Sequence, residues 1–441
     1  MSDQSNASRV SRRAFLTSAG AAGAVLSLMD DVSASPWQAS PVQLERPDGP
    51  PERIARDEQY WTRVRAQYDV TDEVVNLEAG YWGVMAKPVR EAYLRHVERV
   101  NHDNSYYARR SWSADLGKVR ERVATFLGVE SDEIAFTRSA TESLQVLIGG
   151  YNRLKPGDAV LFADLDYPAM QDAMAWLAER RGVRVVRIDL PAPASRENVL
   201  AAYSDALERN PDVRLVLLTH VSNKTGLAIP AADIAALVRK RGADVIVDAA
   251  HSIGQLDITV PDVGAHFVGF NLHKWIGAPL GVGVFYIKKD RLNDIDRMMG
   301  DTEAPSASIN SRVHTGTLNF AAFLTIPAAI DFHMAVGQAF KAARLRYLRD
   351  RWVSGVRDAQ QIEVLTPDEP GLSGGITSFR LRGRTSRQDN ERVVGELLSK
   401  HRIFTARRTG VAGGDCVRVT PSLYTKAEDV DRLAQALRTL R

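Results

Sequence analysis

The sequence predicts an α/β protein with a largely parallel sheet covered by helices, followed by a smaller α+β region. Three observations lead there. Short runs of Val, Ile, Leu and Phe alternate with helical stretches from residue 159 to residue 287. Most of the runs are apolar at consecutive rather than alternate positions, as strands buried on both faces are. Polar and small residues follow the carboxyl ends of those runs, where open parallel sheets place their sites.

The elements follow in chain order. Arg12 and Arg13 precede an uncharged Ala-, Gly- and Ser-rich stretch, 14–29, and then Val32, Ser33 and Ala34. That is the order of a secretory signal, and the paired arginines make it Tat-type. The stretch is shorter than the roughly 20 residues a membrane span requires, so stable membrane insertion is not expected. The Tat export machinery carries folded proteins, which suits a cofactor loaded before export. The expected destination is the periplasm or another extracytoplasmic space. Residues 35–55 are Pro-rich and read as a linker.

Residues 56–135 are mostly helical, with apolar spacings of three and four in 90–100 and 115–126. Strands are expected at 159–165, 184–190, 214–221, 244–247, 266–270 and 282–287, with helices at 169–181, 198–209 and 231–241 between them. Residues 320–356 read as one long helical connection. Strands at 375–381 and 416–420 with helices at 388–400 and 426–440 complete the chain. This gives a signal peptide at 1–34, a linker at 35–55, a large domain at 56–330 and a small domain at 331–441.

Composition bounds the function. Hydrophobic residues make up 44% and charged residues 25%, a soluble globular mixture. The net charge of +3 supplies no basic field, so nucleic acid is not an expected partner. Cys416 is the single cysteine, which precludes an intramolecular disulfide and a cysteine-based zinc site.

The strongest chemical signal is an apolar strand, 245–247, ending in Asp248, followed by Ala249, Ala250 and His251. A second short strand leads to Asn271, Leu272, His273 and Lys274. A lysine at a buried strand end is costly to keep charged. It becomes useful as a Schiff base with an aldehyde cofactor. Pyridoxal 5′-phosphate requires that lysine, a carboxylate for its ring nitrogen and donors for its phosphate. Asp248 fits the second role. The segment Thr137 to Ser143 opens a helix that suits a phosphate, or is an ordinary helix capped by Ser139 or Thr141. Tyr167 stacks on a ring or is a surface tyrosine; Asn223 bonds a ring hydroxyl or serves a turn. A metal hydrolase using Asp248, His251 and His273 is the rival from another enzyme class. Lys274 beside His273 opposes it, and no metal is expected. A non-catalytic binding protein is opposed by the joint presence of Lys274 and Asp248.

The ordered set Ala140-Thr141-Glu142, Asp166-Tyr167-Pro168, Ser222-Asn223-Lys224-Thr225-Gly226, Asp248-Ala249-Ala250-His251-Ser252 and His273-Lys274-Trp275 resembles the class V aminotransferase group of pyridoxal-phosphate enzymes. Within that group it is most similar to isopenicillin N epimerase-like proteins, over about residues 70–440. The resemblance implies fold type I, with a mainly parallel sheet in the large domain and a smaller α+β C-terminal domain. It makes Lys274 the Schiff-base lysine and α-carbon proton shuttle, and Asp248 the partner of the pyridine nitrogen. His251 falls near the ring hydroxyl or ring edge, Tyr167 on the ring face and Asn223 at the ring hydroxyl. Ala140 and Thr141 hold phosphate through the helix start, with Asn271 and His273 as side-chain donors; the family often has serine where Asn271 stands. Thr317 reaches a neighbour's phosphate across a homodimer, and Arg418 forks onto the substrate carboxylate. Residues 76–81 line the site. The implied substrate is an amino acid or peptide-like amine, and the implied reaction is aminotransferase or epimerase type. The alternative is a lyase or decarboxylase that tailors a secreted metabolite such as a siderophore. Cys416 lies inside a strand, so desulfurase chemistry is not expected.

Overall fold

The computed structural model describes residues 44–300 and 304–440. The expected leader lies outside the described residues. The end of the expected linker forms a short helix, Pro51–Ile54, with Ile54 buried.

Strand β1 (Val75–Asn76) stands apart from the main sheet. Seven strands build that sheet: β2 (Ile134–Thr137), β3 (Ala159–Ala163), β4 (Arg184–Ile188), β5 (Val213–Thr219), β6 (Asp244–Asp248), β7 (Phe267–Asn271) and β8 (Gly283–Ile287). Their spatial order is β2-β8-β7-β6-β5-β3-β4. Neighbours from β4 to β7 are parallel, while β8 runs antiparallel to both β7 and β2. Residues 272–282 are too few for the crossover a parallel β7–β8 pair would need. The order reverses between β3 and β5, which creates the crevice where such sheets bind ligands.

Burial explains the unbroken apolar runs. Leu215, Leu217 and Ile246 pack on one face with Leu144, Leu147 and Met174. Val216, Leu218 and Val247 pack on the other with Val123, Ile234 and Ile330. Both faces are covered, so both sets of alternating side chains are apolar. Only the edge strand β4 places arginines, Arg184 and Arg187, on its exposed positions.

The expected long helical connection at 320–356 is made of three helices: Phe320–Leu324, Ile326–Val336 and Gln338–Gly355. Pro327 starts the second, where its missing N–H does no harm. Gly337, at φ 91°, turns the chain into the third. Beyond them, β9 (Ile362–Val364), β10 (Thr377–Leu381), β12 (Ala406–Arg408) and β13 (Cys416–Val419) form an antiparallel sheet in the order β12-β13-β10-β9. Strand β11 (Ile403–Phe404) pairs in parallel with β1. Trp352, Phe379, Val417 and Leu433 join this small sheet to its helices in a core of its own. Among the described residues no single helix is long and apolar enough to cross a membrane.

Register sets the site. Thr219 pairs with Asp248, and Asp248 with Gly269. Gly283 lies opposite both Thr137 and Asn271. A Cβ on Gly283 would sit 2.5 Å from the Ser139 carbonyl carbon and would also strike Thr137 Oγ1. Gly283→Ala is therefore expected to force β8 away from the 137–139 turn and to destabilise the protein by about 1–3 kcal/mol, read as a lower urea midpoint at an unchanged slope.

Candidate active site

The carboxyl ends of β2, β5, β6 and β7 open onto one cavity of about 310 Å³. Lys274, Asp248, His251, Tyr167, Asn223, Ala140, Thr141, Asn271, His273 and Arg418 all line it. Thr317 does not; it is exposed on the loop after residue 313. Sequence reading missed Arg408, on β12, and Thr219, at the end of β5, which also line the cavity. It named the segment containing Glu78 but gave that residue no role.

Asp248 ends β6 and is buried. Its Oδ1 accepts from Ala250 N at 2.9 Å. Burial pushes its carboxyl above the ordinary range, partly offset by Ala250 N and by the positive charge of Lys274. A buried carboxylate so thinly bonded calls for a cationic partner.

Lys274 sits in the turn after β7. Asn271 Oδ1 accepts from its backbone N at 3.1 Å and so fixes the turn. Burial draws its amine down to about 8, and Arg418 and Arg408 act in the same direction. Its Nζ lies 3.3 Å from His251 Nε2. Trp275 Nε1 donates to His251 Nδ1 at 3.3 Å. The indole has only a proton to offer, so neutral His251 carries its own proton on Nε2. That proton faces the lone pair of a neutral lysine amine. An ammonium would present a proton to a proton, so the arrangement favours an uncharged Lys274. Burial and Lys274 both hold His251 far below the usual imidazole range, which keeps the ring neutral.

The phosphate end is built by backbone. Ser139 caps helix Ala140–Gly150, its Oγ accepting from Glu142 N at 3.1 Å. The N–H groups of Ala140 and Thr141 remain at the open helix start, the positive end of its dipole. Asn271 Nδ2 is buried without a protein partner. His273 differs from expectation. Its Nδ1 donates to Val282 O at 3.0 Å, so the neutral ring offers Nε2 as an acceptor. Burial, followed by Lys274, lowers its pKa to about 4. It becomes a phosphate donor only when an anion favours a second proton.

Tyr167 is held by Thr219 Oγ1, which accepts from its backbone N at 3.1 Å. Asp166 beside it accepts from Thr219 N and Ala163 N at 2.6 and 2.7 Å, tying β3 to β5. Asn223 Oδ1 is buried without a partner, while its carbonyl accepts from Arg418 Nη1 at 2.9 Å.

Arg418, on β13, is not free. Its Nη2 donates to Glu78 Oε1 at 2.7 Å and Oε2 at 2.6 Å. Arg408 Nη2 donates to Glu78 Oε1 at 2.7 Å. Gly80 lies against the guanidinium, where a Cβ would come within 2.7 Å of Nη2. Among the described residues no three His, Cys, Asp or Glu side chains are grouped to hold a metal ion.

The sequence matches the family described as Aminotransferase class-V over residues 87–433. Isopenicillin N epimerase of Streptomyces clavuligerus is 28% identical over 397 residues, covering 86% of this chain and 98% of that protein. A probable cysteine desulfurase of Methanothermobacter thermautotrophicus is 32% identical over 342 residues, covering 73% of this chain and 82% of that protein. Among solved structures, the apo cysteine desulfurase of Thermococcus onnurineus NA1 superposes with a TM-score of 0.73 at 21% identity. It covers 86% of this chain and 97% of its own. That likeness establishes the fold.

The unpartnered Asn271 Nδ2 and Asn223 Oδ1, the open helix start, the thinly bonded Asp248 and the neutral-leaning Lys274 together fit pyridoxal 5′-phosphate. Only the uncharged amine attacks an aldehyde. The rate of cofactor attachment to the stripped protein should therefore rise with pH through about 8 and level off above it. Stopped-flow absorbance checks this, and after borohydride and denaturation the wild type should retain the cofactor covalently whereas Lys274→Ala should release it.

Proposed function

The chain belongs to the aminotransferase class-V family, a group of pyridoxal 5′-phosphate enzymes, and on that premise we propose that it acts at the α-carbon of an amino acid or peptide-like amine, by amino transfer or epimerisation. The observation that carries the proposal is Lys274 Nζ: an amine on the cavity wall, drawn down to about 8, with Asp248 on the same wall.

When bound, the cofactor supplies an aldehyde for attachment and an electron sink for bonds at the α-carbon. The chain's residues do the rest. Lys274 takes the attachment and moves the α-proton at Nζ. Asp248 holds the proton on the pyridine nitrogen. Tyr167 packs on the ring and Asn223 meets its hydroxyl. Ala140, Thr141, Asn271 and His273 hold the phosphate. Arg418 receives the substrate carboxylate. In this reading Thr317 serves a neighbour's phosphate in a homodimer, residues 331–441 act as a small domain over the 56–330 large domain, and the twin-arginine leader delivers the folded protein outside the cytoplasm. The relatives named isopenicillin N epimerase, matched over 98% of their length, support reaction at the α-carbon.

Cleavage chemistry is the second reading, supported by the relatives named cysteine desulfurase. A desulfurase step through a thiol finds no support. Cys416 is buried in β13 and burial pushes its thiol up to about 11.

The test is incubation of the holoenzyme with a panel of amino acids, with and without a 2-oxo acid acceptor, in D₂O, followed by NMR. Solvent deuterium at the α-carbon, with inversion or keto-acid formation, is expected. Cleavage of the carboxyl group or side chain, including keto acid formed together with free ammonia and the released side-chain group, would overturn the proposal in favour of a lyase. Asp248→Asn should lower kcat/KM by about 10²–10³-fold, as loss of one preorganised electrostatic partner does.

A further inference from the structure

We propose that Glu78 is a built-in competitor that weakens carboxylate binding at this site: it occupies Arg418 until a substrate carboxylate displaces it, and Arg408 holds it once displaced. The inference rests on the reading of Arg418 as the substrate-carboxylate residue. Arg418 has three points of contact and two are taken. Nη2 is engaged by both Glu78 oxygens, Nη1 by Asn223 O, and Nε is buried without a partner. A bidentate fork for an incoming carboxylate needs two adjacent N–H groups. Glu78 stands on one of them.

The cluster is built for exchange rather than for permanent pairing. Glu78 Oε1 is shared, accepting from Arg408 Nη2 and Arg418 Nη2 at 2.7 Å each. Letting go of Arg418 therefore does not strand the Glu78 charge. Arg408 Nε is also buried without a partner. Two arginines and one glutamate leave a single positive charge beside the cavity, which one further carboxylate balances. An amine without a carboxylate leaves the cluster as it stands. An α-amino acid has to break the Glu78–Arg418 contact before it gains its own.

A hydrogen bond to a charged group contributes about 1.5–3 kcal/mol net, so removing the competitor should tighten carboxylate binding by about 10- to 100-fold. Isothermal titration of the holoenzyme with propanoate measures this directly, with propanamide as the neutral isostere. Glu78→Gln is expected to bind propanoate about 10- to 100-fold more tightly than the wild type, and its Tm to rise more on adding propanoate. Glu78→Asp, which is shorter and engages both arginines less well, should fall between, and decides the matter alone should Glu78→Gln not fold. Arg418→Lys should lose propanoate binding in either background. Should both Glu78 variants bind propanoate no more tightly than the wild type while Arg418→Lys abolishes binding, the role of Glu78 fails and the reading of Arg418 stands. Should Arg418→Lys leave propanoate affinity unchanged, the reading of Arg418 fails and the inference goes with it.

Discussion

Three cationic side chains, Lys274, Arg408 and Arg418, line the same cavity; Asp248 on its wall and Glu78 against the two arginines oppose them. Charge burial without compensation is among the largest penalties a folded chain can carry. The two kinds of cation meet it differently. A lysine can shed its proton when desolvated, whereas an arginine stays charged and has to be paired. Burial draws the Lys274 amine down to about 8, helped by its arginine neighbours, and a neutral His251 directs its proton toward it. Arg418 pairs, and Glu78 is its partner. Two arginines against one glutamate leave a positive charge at one end of the cavity and the open helix start another, and in the proposed function a phosphate ester and a carboxylate are the anions that cofactor and substrate would bring.

The sheet and the main chemical pair were legible in the sequence because they rest on local patterns. Strands buried on both faces must be apolar throughout, and the residue that ends each strand is marked by the break in that run. Asp248, Asn271 and Lys274 stand out for that reason. What was not legible depends on chain segments far apart. Glu78 meets Arg418 across most of the chain's length, and no spacing rule reports such a pair. The tautomer of the neutral His273 ring depends on the carbonyl of Val282, just before β8, a contact that residue type alone does not report. The reversal of β8 was within reach, since a connection as short as 272–282 leaves no room for a crossover. The breaks in the 320–356 stretch were also written in residue types, Pro327 and Gly337, but apolar periodicity runs across both and masks them.

The segment from Val75 to Gly83 joins the two halves of the site through backbone rather than side chains. Val75 N donates to Arg402 O, Leu77 N to Phe404 O and Ala79 N to Thr420 O, so this stretch extends the small sheet's end of the molecule. A few residues later Gly83 N donates to His273 O at 2.8 Å, beside the lysine turn. No side chain fits there, because a Cβ on Gly83 would collide with the Lys274 carbonyl. Gly80, between these anchors, lies on the Arg418 guanidinium for the same reason. One short segment thus fixes the distance between Arg418 and Lys274, which in the proposed function serve the substrate's carboxylate and amine. In an α-amino acid those two groups sit on one carbon. Their separation is the quantity such a site has to hold constant, and here it is held by backbone hydrogen bonds and two glycines, with Glu78 carried on the same segment.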